Sequence, residues 1–390
     1  MTRILEKLLR RLPIGWLQLT HNRNRFLSAL AGVSFANVLV FVQLGIAGSM
    51  TTATLQPYEF FNADIMISAE DANSLTEGGN VARQWLFQAL ADPSVTDGTP
   101  LYVANLTWEM DGGQTILQTF GVDPKAVDFI GPSVAQKLTS LTLLNSAILD
   151  RKTRDLDREE VSLIRPHSPV TFESEGNTIT LFDTFSGGGG FNADGYAFVS
   201  DQTFLNLFAK RSSGAPDHIL LHVTRGADTD VVVSRLRDAI ADKTLRIRSY
   251  DAARDEDLRY QKTQRPTGLI FGFGVLIGIL VGIVIVYQVL STDVASHLRE
   301  YATFKAMGYG QGFFLGIVFE EAMILAIFGF VPGVIVATGM LTFMNNMTGL
   351  PIEMTVNTAI MVFFGTLAAC ALSGAIATRR LANADPAELF

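Results

Sequence analysis

Cysteine is almost missing: the 390 residues contain one, Cys370, set in an apolar run. A single thiol excludes an intrachain disulfide and a cysteine-rich metal centre. Any part of the chain outside the cell interior is therefore expected to hold together by packing alone. Histidine is scarce as well, at five residues. His167, His218 and His222 do not join acids at ligand spacing, so they read as surface or packing residues. No glycine-rich loop ends in lysine plus serine or threonine, the pattern that cradles nucleotide phosphates. Nor is there an excess of positive charge. With 30 basic residues against 38 acidic ones, the net charge is -8, which gives no reason to expect nucleic acid as a partner. Met1 to Arg25 is basic, but the apolar run that follows is too long for a signal-peptide core.

Charge is absent from Thr267 to Leu290, TGLIFGFGVLIGILVGIVIVYQVL. As a helix this run would extend about 36 Å, enough to cross a hydrocarbon core of roughly 30 Å. Three further apolar runs flank it in sequence. The expected layout is an amphipathic N-terminal segment (1–25) and four transmembrane helices at 26–50, 266–290, 312–342 and 358–378. Between these lie a domain with helical stalks (51–265), a connecting segment (291–311), a short turn (343–357) and a tail (379–390). The fold class is thus a membrane protein of four transmembrane α-helices, with a large α+β extracytoplasmic domain inserted between helices 1 and 2.

Met1 to Arg11 reads as a surface-lying helix, with Arg3, Lys7, Arg10 and Arg11 around an apolar face. Asn37 and Gln43, polar but neutral, are expected to face other helices. Glu320 and Glu321 stand near the start of the third run. Intramembrane carboxylates are functional candidates, but an interfacial or helix-packing role is the preferred reading here. Pro332-Gly333 suggests a kink.

Residues 59–265 carry strand signals at 63–68, 101–110, 114–122, 177–185, 196–200 and 218–224, with helices at 80–91, 202–211 and 228–241, after which TLRIRSY at 244–250 resumes strand character. Asp111-Gly112-Gly113 predicts a hairpin between the second and third strands. The charged run at 150–165 is expected to divide the domain in two. Gly187–Gly190 is expected to be a flexible surface loop. DAARDEDLRYQKTQR at 251–265 predicts a helical stalk.

Charge sets the orientation. Arg3, Lys7, Arg10, Arg11, Arg23 and Arg25 precede the first run; Arg299 and Lys305 lie in the middle connection; Arg379 and Arg380 follow the last run. The 343–357 turn has Glu353 and no basic residue. The positive-inside rule then puts both termini and the middle connection in the cytoplasm.

This layout resembles the FtsX-like permease family, the MacB-type exporters, and within them the DevC-like permeases of cyanobacteria. The most specific stretch is LREYATFKAMGYGQGFF at 298–314, with Leu298, Arg299, Glu300, Lys305, Ala306, Met307, Gly308 and Tyr309. WLQLTHNRNRF near the N-terminus and RRLANADPAEL at the C-terminus, with Arg379, Arg380, Asp385, Pro386 and Leu389, are similar to family segments too. The resemblance implies a permease subunit of an ABC-type exporter in the cell inner membrane, itself not an enzyme. It implies a homodimer with a separate ABC ATPase that holds ATP and Mg, this chain binding no cofactor. Residues 294–309 would be the coupling helix. The outside domain would engage a periplasmic adaptor (membrane fusion) protein and an outer-membrane channel, in a lipid membrane, for glycolipid or other envelope material. Two alternatives are a lipoprotein-releasing permease and a non-transporting scaffold that regulates a cell-wall hydrolase.

Overall fold

The computed structural model describes residues 13–382, apart from 111–112, 155, 157–160, 162, 166, 175, 192, 298–299, 301–302 and 305–306. A short helix α1 (Ile14–His21) starts after Pro13, and α2 (Arg23–Glu59) follows. Then come β1 (Ile65–Ala69), α3 (Gln84–Ala89), β2 (Val95–Met110), β3 (Gly113–Val122), β4 (Ser146–Asp150), β5 (Val170–Ser174), β6 (Asn177–Phe185) and β7 (Gly195–Ser200). After them run α4 (Asp201–Leu207), β8 (His218–Val223), α5 (Thr229–Ile240), β9 (Leu245–Ser249) and α6 (Tyr250–Thr263). Three long helices complete the order: α7 (Pro266–Ser296), α8 (Gln311–Thr348) and α9 (Val356–Ala382). The chain forms two units: a helical one (Met1–Gly48, Ile270–Met344, Ile352–Phe390) and a sheet one (Ser49–Leu269, Asn345–Pro351).

Helices α2, α7, α8 and α9 are long and apolar enough to cross a membrane. In hydrocarbon a helix satisfies every backbone group within itself, so unbroken apolar runs take this form. Their packing in the helical unit follows small residues. Gly274, Gly278 and Gly282 recur at four-residue spacing on α7. A Cβ at these positions would meet Gln43 Oε1 at 2.6 Å, Gln43 Cγ at 3.0 Å and Val40 at 3.5 Å. Bare backbone thus lets α2 approach closely, and Gln43 lies over the glycine stripe. α8 runs through Pro332 as a single helix. Ser34 Oγ donates to the Gly329 carbonyl at 2.9 Å, in the turn before that proline.

The sheet unit is built on nine strands in the order β5-β6-β4-β7-β3-β2-β8-β1-β9. β3–β7 and β4–β6 are parallel; the other pairs are antiparallel. The β2–β3 hairpin forms, with Met110 opposite Gly113. Successive residues face opposite sides of the sheet, and the cores follow that period. Met66, Ile148, Phe198 and Leu220 enter one core, while their neighbours Ile65, Ala147, Val199 and Leu221 enter the cores on the other side.

The first core is closed by Tyr58, Phe60 and Phe61 at the end of α2 and by Tyr250 and Ala253 of α6. Phe60 makes edge contacts with the rings of Phe120, Phe185, Tyr196 and Phe198 at 5.0–6.2 Å. Edge-to-face pairs add to the area such rings bury.

Two expectations fail here. The charged run at 150–165 does not divide the domain, because the sheet is continuous and its nine strands lie in one unit. The change of partner falls inside β2: residues 95–101 pair with β8, and 102–110 with β3. Gly187–Gly190 is not a surface loop; all four glycines are buried. Gly187 N–H donates to Asp150 Oδ1 at 2.8 Å, and Gly188 N–H to Asp150 Oδ2 at 2.5 Å. Composition points to flexibility, but a buried carboxylate 37 positions earlier gathers these amides.

Candidate coupling site

α1 is a one-sided element laid on the start of α8. Its N-terminal Ile14 packs against Val294, Phe314, Ile317 and Val318, with Phe304 and Phe313 beside it. One turn on, Leu19 enters the main core of the helical unit with Ala29, Leu290, Ala322 and Leu325. The Trp16 ring lies 6.4 Å from Phe26 and 5.9 Å from Phe328.

Two hydrogen bonds fix the register. Trp16 N–H, at the first turn of α1, donates to Glu320 Oε1 at 3.2 Å. An early helical N–H has no partner within its own helix, so a carboxylate from α8 meets both that donor and the positive end of the helix. Gln18 Nε2 donates to Glu300 Oε2 at 2.8 Å, tying α1 to the connection between α7 and α8.

Gly15 permits this approach. A Cβ there would stand 3.0 Å from both Ile317 O and Glu321 Cγ. Gly15→Leu is expected to cost about 1–3 kcal/mol through overpacking. It should raise amide exchange across 14–21 in the detergent-solubilised chain, with a smaller rise for Gly15→Ala. Unchanged exchange in the leucine variant would refute this packing account.

The connection itself ends in a turn. Glu300, Thr303 and Phe304 are helical, and Met307 N–H donates to Thr303 O at 3.1 Å. Gly308 sits at φ +92°, a conformation that strains any residue with a Cβ. The turn aligns three rings: Phe304–Tyr309 at 5.7 Å, Tyr309–Phe313 at 4.4 Å and Phe304–Phe313 at 5.8 Å. In this turn Met307 is 60% exposed and Tyr309 47% exposed. The turn thus presents a flexible thioether and an aromatic edge at the surface.

Of the residues singled out from sequence, Glu300, Met307, Gly308 and Tyr309 meet in this connection. Glu320 and Glu321 are buried beside α1, Glu320 as the acceptor described above. Asn37 is buried on α2, where Thr366 Oγ donates to its Oδ1 at 2.5 Å. Gln43 packs on the α7 glycines, apart from the connection. Leu298, Arg299, Lys305 and Ala306 lie outside the described residues. So do Arg3, Lys7, Arg10 and Arg11, and Asp385, Pro386 and Leu389 of the tail. Sequence reading missed Gly15 and the Gln18–Glu300 pair. A glycine two residues after Pro13, between Ile14 and Trp16, was the available signal.

In the sheet unit, His218 is buried, with Nδ1 3.0 Å from Ser68 Oγ and Nε2 2.9 Å from Leu75 O. A carbonyl can only accept, so Nε2 carries the proton and Nδ1 accepts from serine. His222 stacks on Phe129 at 4.2 Å. No group of three or more His, Cys, Asp or Glu stands at metal-binding distance among the described residues.

Residues 272–386 match the family model described as FtsX-like permease C-terminal. That match begins inside α7 and takes in the connection, α8 and α9. Similar solved structures include the periplasmic region of MacB from Actinobacillus actinomycetemcomitans, at 10% identity and TM-score 0.36, covering 50% of this chain and 93% of that one. The extracellular domain of the noncanonic ABC-type transporter YknZ from Gram-positive bacteria is 9% identical at TM-score 0.34, covering 48% and 100%. A domain of a permease protein from Porphyromonas gingivalis is 12% identical at TM-score 0.29, covering 50% and 89%. No curated protein matches the chain.

Proposed function

We propose that this chain is the membrane subunit of an ABC-type transport system, driven by ATP hydrolysis on a separate ATPase chain. The observation that carries this reading is the permease match over 272–386, with Met307 and Tyr309 exposed on a braced turn inside it. The ATPase would dock on the 291–311 connection, with ATP and Mg held by the ATPase. The connection and both termini would face the cytoplasm, and the 51–265 region the opposite side of the inner membrane. Two copies of the chain would form the membrane part. In the finer DevC-like reading, the outside domain engages an adaptor that leads to an outer-membrane channel, for envelope material such as glycolipid.

Mild-detergent co-purification of the tagged chain tests this. Recovery of an ATP-binding cassette subunit with an adaptor is the expected result. The ATPase with a peptidoglycan hydrolase and no adaptor would replace the exporter reading with the scaffold. The ATPase with lipoprotein-carrier partners would favour lipoprotein release. Absence of any ATPase, where complexes of this type survive, would overturn the proposal.

A further inference from the structure

Residues Asn345–Pro351, the end of α8 and the turn after it, group with the sheet unit and not with the helical one. Arg154, four residues past the end of β4, meets them there. A Cβ on Gly349 would stand 2.7 Å from Arg154 Cγ and 3.4 Å from its Cδ and Nε, so the arginine stem lies across bare backbone. Gly349 is at φ +63°, and its N–H donates to Asn345 O at 2.8 Å. This is the left-handed ending that glycine gives a helix.

The other end of the same side chain enters the buried glycine run. Arg154 Nη1 donates to Asp194 Oδ1 at 3.3 Å, and Nη2 to the Gly190 carbonyl. Arg154 N–H donates to Asp194 O at 3.0 Å. A Cβ on Gly189 would lie 3.1 Å from Arg154 Nε, so a second glycine makes room for this arginine. The run is anchored in turn by Asp150, and a Cβ on Gly187 would meet the Phe60 ring, just past α2, at 3.0 Å. All of these residues lie in the sheet unit. We propose that Arg154 is a positioning residue that straps the 345–351 turn to the glycine run, giving the sheet unit an attachment to α8 and α9 besides its chain connections to α2 and α7.

The geometry of arginine makes the strap directional. Its fork is planar and always charged, so two acceptors near one loop fix where it points. With the tip fixed, the course of the stem over Gly349 follows. The Arg154 and Asp194 side chains are only 23% and 24% exposed, so their attraction is screened less than that of a surface pair.

Amide exchange of the full chain in detergent reads the strap from both ends. Arg154→Met keeps an unbranched stem and removes the fork; exchange across 345–351 is expected to rise about tenfold. Asp194→Asn leaves Arg154 and Gly349 in place, and should raise exchange in the same turn about threefold. Strands β8 and β9 are expected to keep the parent rates. The two ends should also be coupled. Gly349→Ala meets the arginine stem and strains a left-handed residue, whereas in an Arg154→Ala background only the strain remains. The double variant should therefore show less than the product of the two single rises. Asp194→Asn keeps a test in hand if the Arg154 variants do not fold. A rise confined to the glycine run, an equal rise in β8 and β9, or strictly independent effects of Gly349→Ala and Arg154→Ala would each overturn the proposal.

Discussion

Met307→Glu is expected to abolish stimulation of the partner ATPase while leaving the sheet unit folded. Met307 lies in the turn between Phe304 and Tyr309 and is 60% exposed in the single chain. The substitution therefore costs the isolated chain almost nothing. In a complex that covers the turn, an unpaired carboxylate is buried. Leaving a charge uncompensated in an interface costs about 3–5 kcal/mol, on the order of a hundred- to several-thousand-fold in affinity. Met307→Leu keeps the volume and should preserve stimulation. The check is ATPase rate against ATPase-subunit concentration for both variants. Full stimulation of Met307→Glu would remove this turn from the docking surface.

Asp150→Ala should be the most damaging change in the sheet unit. Asp150 is fully buried at the end of β4, and its carboxylate collects three backbone N–H groups: Lys152 at 3.0 Å, Gly187 at 2.8 Å and Gly188 at 2.5 Å. Alanine leaves those donors without their acceptor. Each stranded buried donor costs about 1–3 kcal/mol. Relief of the buried charge offsets part of this, because burial already raises the Asp150 pKa above the ordinary carboxylate value. A net loss of about 3 kcal/mol remains. Thermal unfolding of the detergent-solubilised chain, with exchange followed in β4 and β7, measures it. Asp150→Asn retains one acceptor oxygen and should lose less. Equal stability of parent and alanine variants would show that the glycine run finds its partners elsewhere.

Much of the fold was legible because it is written locally. Long uncharged runs mark α2, α7, α8 and α9, since a helix crossing hydrocarbon needs only apolar length. The 177–185 run alternates in the way a strand requires, and β6 has those bounds. The strands β4 and β5 were not found. SAILD is short and stands beside a dense charged run; VTFES sits at the sheet edge with three of its five residues exposed. The parallel pairs β3–β7 and β4–β6 join strands separated by long connections, so no turn residue announces them.

The coupling segment was legible as a motif, but its support was not. That Gly15 brings α1 against Glu320 and Glu321 depends on a contact some 300 positions away. The inward face of α6 was concealed by its chemistry. Tyr250, Ala253, Asp257 and Gln261 are the buried positions of α6. Their spacing of three and four marks an inward face. Two of the four are polar, so the segment reads as a solvated stalk.

Site-directed cross-linking from Met307→Cys tests the docking claim most directly. The chain's own thiol, Cys370, is buried and can be replaced first. With a short bifunctional reagent in native membranes, position 307 is expected to link to the ATPase subunit. A cysteine at Phe87, 65% exposed on α3 of the sheet unit, is expected not to. Linkage to the ATPase from position 87 and none from position 307 would contradict the account.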